Sequence, residues 1–333
     1  MVNIADLLNL PRLREDLATV EEALHRSVEA DDPFLTQVAG HLIGAGGKRL
    51  RPALAVTAAA VGGVDAVPGV VHGGVSVELV HLGSLYHDDV MDEGTSRRGV
   101  ETVNSRWGNL VAILAGDFLL ARASEIAASL GTEVAGLLAT TIGRLCEGQV
   151  GELRTAFDVD RTEEAYLTSI GGKTASLMSA SCRIGALTAG LDQATVDALT
   201  AYGHAFGMVF QIRDDILDVV GTDESLGKPA GQDLVQGTYT LPVIVALAEP
   251  EAGDELRALL GKPLDTPERD KARDIVRSTD AIATAYAVAT GYAEQAARSA
   301  GAFPAGPIRD AMADLGHRLL EDIASEPEVP RRA

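Results

Sequence analysis

Asp88, Asp89 and Asp92 stand in the order D-D-x-x-D, and Asp214, Asp215 and Asp218 repeat that spacing far downstream. Each triplet closes a stretch with apolar residues at helical intervals. Val71, Val75, Leu79, Leu82 and Tyr86 precede the first, and Leu199, Phe206, Val209, Phe210 and Ile212 precede or adjoin the second. On a helix, positions i, i+1 and i+4 stack the outer carboxylates one above the other with the middle one close by. Carboxylates about 6 Å apart repel by roughly 3 kcal/mol per pair at an effective dielectric of about 20, so a partly buried triplet needs protons or cations. Two facing triplets favour hard divalent cations, and Mg2+ is typically held by one or two carboxylates together with substrate phosphates. The chain must therefore bring two distant helix ends together. No strand pattern and no interdomain linker intervenes, so the expected fold is a single all-α domain over residues 1–325, with 326–333 a disordered tail.

Composition supports that reading. At 333 residues with 46% hydrophobic residues the chain can bury a large core, and its 4% aromatic content suits helices packed through small side chains. A net charge of −20 argues against a nucleic-acid partner and shows no polybasic membrane anchor. An anionic substrate would need metal and a local basic patch. Cys146 and Cys182 have neither zinc nor disulfide spacing, which points to a reducing compartment. With no evident leader and no apolar run long enough to span a bilayer, the expected location is cytoplasmic.

The basic patch is found in two places. Gly46-Gly47-Lys48-Arg49-Leu50-Arg51-Pro52 sets cations beside the start of a helix near Pro52, an arrangement suited to phosphate. The loop Gly94 to Gly99 carries Arg97 and Arg98, whose planar guanidinium groups match phosphate oxygens. His81 lies two turns below Asp88 on the same side of a helix expected from Pro68 to Met91. Helices are also expected over 13–30, 33–42, 105–130, 133–157, 193–220, 240–248, 255–260, 267–277, 281–300 and 307–323. Asp117, within an apolar run, reads as a structural hydrogen-bonding group. Lys173-Thr174 follows two glycines, but the spacing is not that of a nucleotide P-loop and no strand precedes it.

These motifs, in this order, resemble the trans-type polyprenyl diphosphate synthases, prenyltransferases of the class I isoprenoid synthase fold. The resemblance spans about Phe34 to Pro242. It rests on Gly46 to Pro52, His87 to Gly99, Gly116-Asp117, Gly172 to Thr174, Phe210 to Asp218 and Gly227 to Leu234. It implies a bundle of roughly ten or more helices around a deep central cavity, a homodimer, and three Mg2+ ions per site. By residue, it implies metal ligation by Asp88, Asp92 and Asp214, with Asp89, Asp215 and Asp218 supporting. Lys48, Arg51, His81 and Arg98 would bind isopentenyl diphosphate. Arg97, Lys173 and Lys228 would hold an allylic prenyl diphosphate, with Thr174 and Gln211 near the reacting carbons. One departure is Thr238, where many members carry lysine, which removes a cation from the allylic site.

Gly83 and Ser84, just below the first triplet, are small where short-chain members place an aromatic plug. The resemblance therefore implies an open tunnel and a long-chain product, in the heptaprenyl to decaprenyl range. Close helix packing is the competing reason for small residues there, and a farnesyl or geranylgeranyl product is the alternative outcome. Only transient membrane contact for product release is expected. A terpene cyclase would normally lack the second triplet and the glycine-lysine-arginine segment. A catalytically silent subunit of a heteromeric synthase would be free to lose the acids, and a calcium loop would need the alternating acids and glycine of an EF-hand.

Overall fold

The computed structural model describes residues 7, 8, 10, 12–226 and 229–325. The expected tail at 326–333 and Lys228 lie outside the described residues. Nearly all regular structure is helical: α1 (Leu13–Ser27), α2 (Pro33–Ala39), α3 (His41–Gly44), α4 (Leu50–Val61), α5 (Pro68–Met91), α6 (Val103–Trp107), α7 (Asn109–Ser129), α8 (Thr132–Arg154) and α9 (Glu163–Ile170). A π-helical turn (Gly171–Ala175) joins α9 to α10 (Ser176–Thr188), followed by α11 (Gln193–Val220), α12 (Asp223–Leu226), α13 (Gln232–Gln236), α14 (Leu241–Leu247), α15 (Pro250–Leu259), α16 (Thr266–Ser278), α17 (Ala281–Ala300) and α18 (Pro307–Ser325).

The two triplet-bearing helices begin and end where the sequence places them, for local reasons. Pro68 occupies the first turn of α5, where its missing N–H costs nothing. Asp192 caps α11 by accepting the Thr195 N–H. Elsewhere glycine divides what periodicity joins. The helix expected over 33–42 is interrupted at Gly40, and the one expected over 105–130 breaks at Gly108, whose φ of 90° is closed to most residues. The loop after the first triplet is not irregular. Ser96–Arg97 pairs antiparallel with Val100–Glu101, turning through Arg98 and Gly99 at φ 53° and 77°. No strand was expected, because two residues per strand leave no alternation to read.

Small residues set the interhelical distances. Along α17, Ala281, Ala285, Ala289, Ala293, Ala296 and Ala300 are all fully buried and form the seam against α11 and α18. α10 lies against α4 so closely that a Cβ on Gly185 would stand 2.0 Å from the Ala55 carbonyl oxygen. The expected stripe of α5 is buried from Val71 to Tyr86. Tyr86 donates its hydroxyl to the Val38 carbonyl at 2.8 Å and so ties the acid-bearing end of α5 to α2.

Candidate active site

The first triplet divides its labour at the end of α5. Asp92 lies just past the last helical turn, its N–H on the Asp88 carbonyl at 2.8 Å. Burial raises the carboxyl pKa of both Asp88 and Asp92, with Lys173 working to lower it and Glu152 to raise it. These two face the same ammonium. Asp89, expected as a supporting metal ligand, is buried and accepts a 2.7 Å bond from Arg97 Nε. Asn104 donates to the Asp89 carbonyl at 2.9 Å and to Gly94 at 3.0 Å. Asp89 thus fastens the hairpin to α5.

That hairpin delivers Arg98 to the glycine loop, where its guanidinium donates to the carbonyls of Gly46 and, at 3.3 Å, Leu42. Gly47 makes the approach feasible, since a Cβ there would lie 2.7 Å from one Arg98 nitrogen and 2.9 Å from an Arg49 nitrogen. Arg49 is the residue that sequence reasoning left unassigned. It is buried, bonds Glu21 at 2.5 and 2.7 Å and reaches Glu78 at 3.2 Å. Glu78, 1% exposed, is the buried counter-charge beneath the cluster and also attracts Arg51 and Arg98. Burial lowers Arg51 to about 10, and its Nε has no hydrogen-bond partner. Burial and the surrounding arginines Arg51, Arg98, Arg97 and Arg49 push His81 well below the ordinary imidazole value. His81, Arg51 and Arg98 lie within one electrostatic cluster, while Lys48 is exposed on the loop beside them.

The π-helical turn supplies the opposite wall. Its defining bond runs from the Ser176 N–H to the Gly171 carbonyl, five residues back. Of the paired glycines Gly172 serves close approach: a Cβ there would lie 2.8 Å from the Arg144 carbonyl oxygen of α8. Lys173 reaches Glu152 Oε1 at 2.7 Å. Burial works to lower the lysine, but Glu152, Asp88 and Asp92 outweigh it and hold the ammonium above its ordinary value. Thr174 donates to Gln211 Oε1 at 2.7 Å, and Gln211 Nε2 donates to Asp215 Oδ1 at 2.8 Å.

The second triplet is also divided. Asp214 is partly exposed beside Arg213 Nη1 at 2.9 Å. Asp218 is buried and accepts the Asp233 N–H at 3.2 Å. Asp215, expected in a supporting role, is held by the protein itself. It is 4% exposed, and its second oxygen accepts the Tyr166 hydroxyl at 2.5 Å, so both oxygens are engaged by the protein. Burial, with Asp214 and Glu152 adding, pushes Asp215 up to about 7 against the effect of those hydrogen bonds. Asp117, expected as a structural hydrogen-bonding group, is exposed and lies 3.4 Å from His87 Nε2. At Gly83 the helices pack closely, the competing reason for a small residue there: a Cβ would lie 3.1 Å from the Gly116 carbonyl oxygen and 3.2 Å from Leu120 Cγ on α7. Ser84, half-buried, bonds the His81 carbonyl at 2.8 Å.

Among the described residues no three His, Cys, Asp or Glu side chains enclose a metal by themselves. The oxygen donors of Asp88, Asp92 and Asp214 suit a hard divalent ion whose shell is completed by phosphate oxygens. Two acidic helix ends, with Lys173 and Glu152 between them and a basic cluster along α5, define an all-α protein that handles diphosphates. The chain belongs to the Polyprenyl synthetase family, which matches residues 32–278. It is 41% identical over 304 residues to heptaprenyl diphosphate synthase component 2 of Geobacillus stearothermophilus, covering 91% of this chain and 94% of that one. It is 39% identical over 318 residues to nonaprenyl diphosphate synthase of Mycobacterium tuberculosis, covering 94% of each. A polyprenyl synthase of Caulobacter crescentus, solved with calcium and isoprenyl diphosphate, superposes with a TM-score of 0.88 at 33% identity, over 95% of this chain and 97% of that one.

Proposed function

We propose that this chain condenses isopentenyl diphosphate with an allylic prenyl diphosphate, repeatedly, to give an all-trans polyprenyl diphosphate in the heptaprenyl to decaprenyl range. The observation that carries the reading is Lys173, held between Glu152 and the Asp88–Asp92 pair. A cation fixed among carboxylates at the mouth of α5 is suited to an anionic group arriving with metal. Asp88, Asp92 and Asp214 would hold Mg2+, which when bound offsets the charge developing on the departing diphosphate. Lys173 and Arg97 would orient that diphosphate, while Arg51, His81, Arg98 and Lys48 hold the incoming one. The departing diphosphate would accept the proton released on coupling, so no side-chain nucleophile is needed. Asp89 and Asp215, turned to Arg97 and Tyr166, would support the site without ligating metal directly.

The chain would act in the cytoplasm as a homodimer. Leu110, Ile113 and Leu114 on α7 and Val150 and Leu153 on α8 are exposed apolar residues that a second copy would cover. Among the described residues no helix is long and apolar enough to cross a membrane.

Labelled isopentenyl diphosphate, a short allylic starter and Mg2+ should yield a product ladder ending in the long-chain range. Products stopping at farnesyl or geranylgeranyl length would favour the shorter-chain reading. Elongation only after a second protein is added would make the chain one subunit of a heteromer, as the name of the Geobacillus relative indicates for that protein.

A further inference from the structure

The hydrogen bonds around Asp215 form a directed chain that the two acidic triplets do not explain. Gln211 turns its amide nitrogen to Asp215 Oδ1 and its carbonyl oxygen to Thr174, so its two ends are assigned by their partners. The Thr174 hydroxyl proton is thereby committed to Gln211, which leaves an oxygen lone pair as the threonine's remaining capacity. At the other end, the Tyr166 hydroxyl closes Asp215 Oδ2 at 2.5 Å. Tyr166 is 1% exposed and cannot touch a ligand directly. Behind it, the Arg161 guanidinium lies 5.7 Å from the Tyr166 ring centre, itself 5% exposed and bonded to the Tyr239 carbonyl at 3.0 Å. Arg161 Nε and Nη2 have no hydrogen-bond partner. A buried cation is thus set against the tyrosine and carboxylate instead of being spent in an ion pair of its own.

We infer that Tyr166 is a positioning residue: by fixing Asp215 it sets which end of the Gln211 amide faces Thr174, and so presents the oxygen ends of both side chains toward the reacting carbons. This rests on the proposed prenyl transfer for its chemistry, but the polarity of the chain is a property of the protein alone. Without Tyr166, Asp215 keeps a buried oxygen with no donor, and Gln211 is free to rotate. That rotation reverses or loosens the dipoles at Thr174.

The test compares wild type with Tyr166→Phe, Asp215→Asn and the double variant. Tyr166→Phe is expected to lower kcat about tenfold while both KM values stay within about twofold, the pattern of an interaction used in the transition state. Calorimetric binding of an allylic thiodiphosphate with Mg2+ should be unchanged. In the double variant the losses should not add, falling within about twofold of the slower single variant, because both act on one path. Additive losses, or KM and binding that deteriorate together with kcat, would overturn the inference. Independently of turnover, the Gln211 side-chain amide protons should exchange slowly in wild type and rapidly in Tyr166→Phe. Unchanged exchange would refute the positioning role even if wild type proved inactive on prenyl diphosphates, the result that would instead reject the proposed function.

Discussion

Glu152 accepts a 2.7 Å bond from Lys173 and, from its place on α8, acts electrostatically on both Asp88 and Asp215. One carboxylate therefore links the lysine of the π-helical turn to both acidic helices. The pair is asymmetric, because Lys173 compensates Glu152, Asp88 and Asp92 together, while Glu152 serves Lys173 and, at longer range, Arg161.

Lys173→Met should accordingly cost more stability than Glu152→Gln. Removing the ammonium leaves Glu152, Asp88 and Asp92 facing one another, a loss of about 3–5 kcal/mol for an uncompensated partly buried charge. Removing the Glu152 charge still leaves Lys173 with Asp88 and Asp92, so a smaller loss is expected, about 1.5–3 kcal/mol for the charge-assisted hydrogen bond. Urea denaturation without metal measures both, and millimolar Mg2+ should restore part of the Lys173→Met loss.

The raised carboxyls give a definite pH dependence. Asp215 rises from 3.8 to about 7 on folding, chiefly through burial. The native state then binds the proton more tightly than the unfolded chain. The associated stability is fully present below about pH 4 and is lost as pH rises through about 7, amounting to about 4 kcal/mol at most. Denaturation at a series of pH values should show this slope in wild type and a flatter one in Asp215→Asn.

His81 is held neutral by burial and by four arginines around it. A neutral amide should replace it better than an apolar group, so His81→Gln should keep the KM for isopentenyl diphosphate within a few-fold while His81→Ala raises it about tenfold. Steady-state kinetics checks the order, and no inflection from His81 is expected near pH 6.5.

Phenylalanine at the two small residues below Asp88 should act differently. Gly83→Phe must force α5 away from Gly116 and Leu120, so it should lower thermal stability by an overpacking cost of about 1–3 kcal/mol. Ser84→Phe should shorten the product ladder with less loss of stability. Chromatography of products beside thermal melts separates packing from chain-length control, and an unchanged ladder in Ser84→Phe would remove Ser84 from the tunnel.

How much of this was legible follows from the range of each interaction. α5, α11 and α17 could be bounded from sequence because proline, an aspartate cap and alanine periodicity act within a turn of the residue concerned. The basic cluster could be proposed because its members sit near motifs on one helix and two adjoining loops. Arg49 could not be separated from Arg51, since the carboxylates that claim it come from Glu21 and Glu78 on other helices. Tyr166 carried no signal at all, as its partner Asp215 is brought to it only when α9 and α11 pack. The acids of each triplet look alike in sequence. Which of them the protein itself engages is decided by the neighbours that pack against them.

The π-helical turn at Gly171–Ala175 holds one residue more than the α-helical path would need. Removing a single residue there would let α9 run into α10 as an unbroken α-helix, turning the downstream part by roughly 100° and drawing it in by about 1.5 Å. Lys173 would leave Glu152, and Thr174 would leave Gln211, with every ionisable group of the site still encoded. Competence in this chain depends on rotational phase as much as on composition, and the loss of one codon would be enough to erase it.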